Sequence, residues 1–152
     1  MSSEYFIAIL AGGKSERFGM NKALFEVDGL PILLKTLLEI PKINRQPKMI
    51  YISCYKEPQW TEIKNALETT LGIQIRKNNN SGFNILSEKF HLNIEFKVIY
   101  DIDSDHSEEL LGIRASIIGL ASIFKTIADT YTDGFVQIMP CDMPYFNSDI
   151  CK

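Results

Sequence analysis

The residues best equipped for chemistry lie near the N-terminus. Leu10-Ala11-Gly12-Gly13-Lys14-Ser15-Glu16-Arg17-Phe18-Gly19-Met20-Asn21-Lys22 places three glycines and three cations in one short segment. Glycine lets a backbone approach an anion closely and adopt positive φ. Successive N–H groups of such a loop form a concave anion site. Lys14, Arg17 and Lys22 supply positive charge in a chain whose net charge is −3. The chemistry implied is a cradle for a polyphosphate. Two familiar loops are excluded by spacing. Gly13-Lys14-Ser15 looks like the end of a P-loop, but that motif needs a glycine where Ala8 stands, inside an apolar run. Gly12, Gly13 and Gly19 do not follow the G-x-G-x-x-G spacing of a dinucleotide fingerprint.

Two carboxylates come next. Asp142 lies between Pro140 and Pro144, which fix the backbone around it. A hard oxygen ligand beside a phosphate cradle suits Mg²⁺, which takes one or two carboxylates plus substrate phosphate oxygens. Asp101 closes an apolar run and can accept hydrogen bonds from a base edge, or it is simply a loop acid; spacing alone leaves the two readings even. Asp101-Ile102-Asp103-Ser104-Asp105 fails as a calcium loop, because His106 and Gly112 occupy the turn and bidentate positions. His91 and His106 have no ligand-spaced neighbours, and Ser15 has no His or Asp partner for nucleophilic catalysis. Trp60 and Cys54 read as core.

These residues need elements to position them. Tyr5–Leu10, Met49–Cys54, Phe96–Tyr100 and Gly134–Met139 are short apolar runs that read as buried strands. Residues 32–40, opened by Pro31 and stopped by Pro41, read as a helix. Gln59–Leu71 does too, with Trp60, Ile63, Leu67 and Leu71 on one face and Gly72 at its end. Leu110–Ala128 is a third helix. Phe25–Asp28 reads as a short extended piece, Asn78–Gly82 as a turn, Ile85–Leu92 as a short helix and Asp101–Glu109 as a loop. The order β-α-β-α-insert-β-α-β predicts a parallel α/β sheet with right-handed crossovers. Ligands bind such sheets beyond the C-terminal strand ends, so residues 11–22, 53–56, 101–105 and 141–144 should meet there.

The 152 residues correspond to about one domain. With 45% apolar and 23% charged residues, a disordered chain is excluded. The net acidic balance argues against nucleic acid as a partner. The apolar runs fall short of the ~18 residues of a membrane span, and Met1–Tyr5 lacks the basic region of a secretory signal. Cys54, Cys141 and Cys151 form no C-x-x-C pair, which points to a reducing compartment. The expectation is a cytoplasmic protein.

Residues 10–24 resemble the signature L-A-G-G-x-S-x-R-[MF]-G-x-[DN]-K-A-L of MobA-like nucleotidyltransferases, close to the molybdenum cofactor guanylyltransferase branch. Pro140-Cys141-Asp142-Met143-Pro144-Tyr145 is similar to their second motif, P-C-D-M-P-[FY]. The resemblance implies a three-layer Rossmann-like parallel sheet of the nucleotide-diphospho-sugar transferase type. It implies transfer of GMP from GTP to molybdopterin bearing molybdenum, with Mg²⁺ as cofactor. Molybdoenzyme-maturation proteins would be partners. It would set Leu10, Ala11, Gly12 and Gly13 along the nucleotide, with Lys14, Arg17 and Lys22 near the phosphates. Asp101 would sit near the guanine and Asp142 on Mg²⁺, so Lys22 and Asp142 would be the catalytic pair. Departures are plain. Glu108-Glu109-Leu110-Leu111-Gly112 stands where relatives carry Gly-Pro-Leu-x-Gly, Ser53 stands where an asparagine is frequent, and residues 57–95 are unmatched. Family chains continue past C-D-M-P, so residues 1–152 are expected to be the nucleotide-binding part of one domain, truncated at the C-terminus without the acceptor part. The alternatives are a transferase of this fold with another phosphate acceptor, a nucleotide-binding module without turnover, and a scaffold with decayed motifs.

Overall fold

The computed structural model describes residues 3–12, 21–101 and 111–141. Strand β1 (Glu4–Leu10) is an inner strand of the large sheet. Phe6, Ile7, Ala8 and Ile9 are all fully buried, as a strand covered on both faces requires. A small hairpin, β2 (Glu26–Val27) and β3 (Leu30–Pro31), turns at Asp28 and Gly29, both at positive φ. Helix α1 (Ile32–Glu39) follows directly from Pro31. Pro41 does not end the turn abruptly; the chain tightens into a 3₁₀ turn at Ile40–Lys42.

Strand β4 (Met49–Cys54) matches the sequence expectation residue for residue. Helix α2 (Glu57–Leu71) begins two residues earlier than expected, with Pro58 in its first turn. It buries Trp60, Ile63 and Leu67 and ends at Gly72, whose φ of 64° is left-handed. Strands β7 (Leu92–Tyr100) and β8 (Gly134–Pro140) flank helix α3 (Leu111–Ala128) in the chain.

One prediction fails. Residues 85–92 are not a helix but part of an antiparallel hairpin, β5 (Gln74–Lys77) and β6 (Phe83–Ser87), joined through a turn to β7. The period decides it. Phe83 and Ile85 are buried while Asn84 is less so, and Leu92, Ile94 and Phe96 are buried around Asn93 and Glu95. That is a strand alternation, not a helical stripe. Asn78 closes the hairpin: its Oδ1 accepts from the Asn80 and Gly82 N–H groups, both at 3.0 Å, and its Nδ2 donates to Asn84 and Glu95. Gly82 is needed for packing, because a Cβ there would lie 2.7 Å from the Phe96 carbonyl.

The large sheet has the order β5-β6-β7-β4-β1-β8. The four strands β7-β4-β1-β8 are parallel, as predicted. Among the described strands of this sheet, β6 alone runs against the rest. Leu33, Leu34, Leu37, Ile63 and Leu67 pack on one face with Ile7, Ile9 and Ile52. Ile123 and Ile127 of α3 pack on the other with Phe6, Ala8 and Tyr51. The result is three layers. From β1 the chain steps outward to β4 and β7, then α3 carries it back to β8 on the far side of β1. The winding reverses between β1 and β8, and the crevice at such a switch point is where α/β sheets bind ligands.

The two sheet edges differ. β5 is short, with Gln74, Arg76 and Lys77 exposed. β8 is seven residues long and carries no charge, yet Phe135 is 62% and Ile138 42% exposed. Among the described residues, no helix is long and apolar enough to cross a membrane.

Candidate functional site

Backbone hydrogen bonds continue past the strands and hold their C-terminal ends in line. Ala11 donates to Ser53 at 2.9 Å, Asp101 to Cys54 at 3.1 Å and Cys141 to Leu10 at 3.2 Å. Leu10, Ala11, Gly12, Ser53, Asp101 and Cys141 therefore share one edge of the sheet, as the strand order predicts. Gly13, Lys14, Arg17 and Asp142 lie outside the described residues, as does the segment with Glu108 and Glu109.

Gly12 sits against the start of the next strand–helix connection. A Cβ on it would be 3.4 Å from the Tyr55 nitrogen and 3.5 Å from the Ser53 Oγ, which is ordinary contact. Packing behind the loop does not require a glycine there. Lys22 opens a 3₁₀ turn, Lys22–Leu24, that packs on α1 and α2. Asn21 caps this turn by accepting from the Ala23 N–H at 3.2 Å. The Asn21 side chain is buried, and its Nδ2 has no partner among the described residues.

Asp101 directly follows β7 beside Ser53, whose hydroxyl donates to its Oδ1 at 3.5 Å. Gly119 of α3 closes over both. A Cβ on Gly119 would lie 2.4 Å from the Ser53 Oγ and 3.2 Å from the Asp101 Oδ1. Burial raises the Asp101 carboxyl to about 6, against the downward pulls of the Ser53 bond and the Lys56 charge. Asp101 thus titrates close to neutrality, where ordinary aspartates are fully ionised. Beneath it, burial pushes the Cys54 thiol up to about 12, with Cys141 and Asp101 adding to the rise. Cys54 and Cys141 are both buried, and Cys54 remains a protonated hydrophobe rather than a nucleophile.

The strand spacing separates roles. Asp101 stands two strands from the end of β1, about 10 Å away, and three from the end of β8, about 14 Å. It therefore cannot share an ion with a ligand at the end of β8. Among the described residues no group of three His, Cys, Asp or Glu side chains could hold a metal. Asp142, the carboxylate expected to hold Mg²⁺, lies outside the described residues.

Sequence reasoning missed two residues here. Gln59, in the first turn of α2, donates from Nε2 to the Ala11 carbonyl at 3.1 Å and accepts at Oε1 from the Tyr55 N–H at 2.6 Å. A glutamine three residues after the N-cap is half of a capping box, but Lys56 stands where Ser or Thr would complete the signal. Gly119 was hidden inside an apolar helical stripe, and only the approach of α3 to Ser53 reveals it.

Comparisons with known proteins bear on the fold and the family. A 46-residue stretch is 44% identical to the probable molybdenum cofactor guanylyltransferase of Pyrococcus horikoshii, covering 30% of this chain and 24% of that protein. The crystal structure of Rv0371c from Mycobacterium tuberculosis H37Rv aligns with 99% of this chain and 58% of its own, with a TM-score of 0.53 and 12% identity. That likeness is one of fold. The chain spans less than two thirds of the length of either relative. The family description of a MobA-like NTP transferase domain matches residues 7–152. That match runs from the middle of β1 through all four parallel strands, so the chain belongs to the MobA-like NTP transferase domain family.

Proposed function

We propose that the chain carries the nucleotide-binding part of an enzyme that transfers GMP from GTP to molybdenum-bearing molybdopterin, releasing pyrophosphate. The observation that carries this reading is the placement of the glycine-bearing end of β1 at the β1/β8 switch point, with the half-buried Asp101 carboxylate two strands away. In this reading the backbone of Leu10, Ala11, Gly12 and Gly13 faces the phosphates, joined by Lys14, Arg17 and Lys22. Asp101 accepts from the ring N–H and the exocyclic amino group of guanine. Asp142 would hold Mg²⁺, which when bound supplies charge neutralisation on the leaving pyrophosphate. A terminal phosphate oxygen of the acceptor attacks the α-phosphorus in line. The new P–O bond forms as the bond to the β-phosphate oxygen breaks, and the electron pair leaves with pyrophosphate. Lys22 offsets that growing charge. No protein nucleophile takes part, in keeping with the buried, protonated Cys54. The cytoplasm is the compartment that suits GTP as substrate.

Calorimetric titration of the chain with GTP, CTP, ATP and UTP, with and without Mg²⁺, tests the reading. GTP should bind best, and Asp142→Ala should abolish the Mg²⁺ dependence. Equal affinity for all four nucleotides, or Mg²⁺ dependence surviving in Asp142→Ala, refutes it. A preference for CTP or UTP would select a transferase of the same fold with another phosphate acceptor.

A further inference from the structure

We infer that Gln59 is a positioning residue for the phosphate cradle, one that sets the direction of the Gly12 N–H. The inference rests on the nucleotide reading above. It starts from two hydrogen bonds made by one side-chain amide. Its oxygen accepts from the Tyr55 N–H at 2.6 Å, and its nitrogen donates to the Ala11 carbonyl at 3.1 Å. The amide cannot be turned over, because the flipped form would set N–H against N–H and oxygen against oxygen. The half-buried side chain is therefore held in one orientation.

The consequence passes through the peptide plane. The Ala11 carbonyl and the Gly12 N–H belong to one planar unit and, in a trans peptide, point in opposite directions. No peptide bond among the described residues is cis. The Ala11 N–H and carbonyl both face the β4 side, toward Ser53 and Gln59 respectively. The Gly12 N–H is thereby turned toward the β8 side, into the switch-point crevice. The Leu10 carbonyl on that side accepts from the Cys141 N–H. An N–H aimed into a crevice is the unit from which a backbone anion site is made. Without Gln59 the Ala11–Gly12 plane is free to rotate, and the glycine that makes close approach possible also makes that rotation easy.

The test compares GTP, inorganic tripolyphosphate and guanosine as ligands for the wild-type chain and for Gln59→Met. Methionine matches glutamine in length and carries neither donor nor charge. GTP and tripolyphosphate should each bind about tenfold more weakly to the variant, as loss of one oriented hydrogen bond predicts. Guanosine affinity should stay at the wild-type value. If tripolyphosphate binds the variant as well as the wild type, the inference is wrong. It is equally wrong if guanosine weakens in parallel, because that marks a general loosening rather than a misdirected cradle. Should Gln59→Met fail to fold, Gln59→Ala is read against the same criteria. A wild-type chain that binds neither GTP nor tripolyphosphate overturns the nucleotide reading and this inference together; a wild type that binds both, with indifferent variants, overturns this inference alone.

Discussion

Asp101 joins two opposite pH dependences in one carboxyl group. Its carboxyl, ordinarily near 3.8, is raised to about 6, mainly by burial. The folded chain therefore holds a proton that the unfolded chain has released between about pH 4 and 6. Stability from this group is present below the ordinary carboxylate range and is lost as pH rises through about 6. In the role proposed for Asp101 it accepts from guanine only when ionised, so GTP affinity should move the other way and fall as pH drops through about 6. Thermal melts over about pH 3.5 to 7.5 and GTP titrations over about pH 5 to 7.5 check both. In Asp101→Asn, both pH dependences should flatten, and GTP should bind about tenfold more weakly. A wild-type GTP affinity that is flat across pH 6 would contradict the role given to Asp101. This behaviour was not legible in the sequence. Spacing alone could place Asp101 at a strand end, but its burial depends on α3, which comes close only because Gly119 has no side chain.

At the scale of elements, the parallel strands and their helices were readable because each is an apolar run or stripe, and most of them are bounded by Gly or Pro. The β5–β6 hairpin was not. Phe83 to Phe96 contains apolar residues at both helical and strand spacings, and the turn between Ser87 and Leu92 has no Gly or Pro to mark it. His91 takes the left-handed position itself, at φ 51°. What holds the hairpin to the body is aromatic. Trp60 of α2 lies 5.2 Å from the Phe83 ring and 5.5 Å from the Phe96 ring, centroid to centroid. Phe96→Ala should therefore cost about 3–5 kcal/mol of stability by leaving a cavity between α2 and the sheet. Chemical denaturation measures the loss. Hydrogen exchange should show β6 amides opening first, since β6 depends on β7 for its inner pairing. A loss below about 1 kcal/mol would mean that the cluster does not anchor the hairpin.

The whole molecule is asymmetric at its borders. The β5 border is short and carries Arg76 and Lys77, as free strand edges in soluble proteins usually are. The β8 border is longer, uncharged, and exposes Phe135 and Ile138. At rising concentration the chain should self-associate through this border. Ile138→Lys should shift light-scattering mass toward the monomer with little change in melting temperature, and unchanged association would show that β8 is not the adhesive edge. The same strand has a second consequence, in the order of assembly. β1 and β8 are joined across about 130 residues of chain, as the Ser3–Asp133 side-chain bond shows. Their pairing closes the longest loop in the sheet, and long loops close late because the chain entropy is lost before the contacts form. β4 and β7 can already flank β1 while its other side is open. The switch-point crevice is then the last part of the molecule to exist, and a nucleotide that binds there recognises only chains that have finished folding.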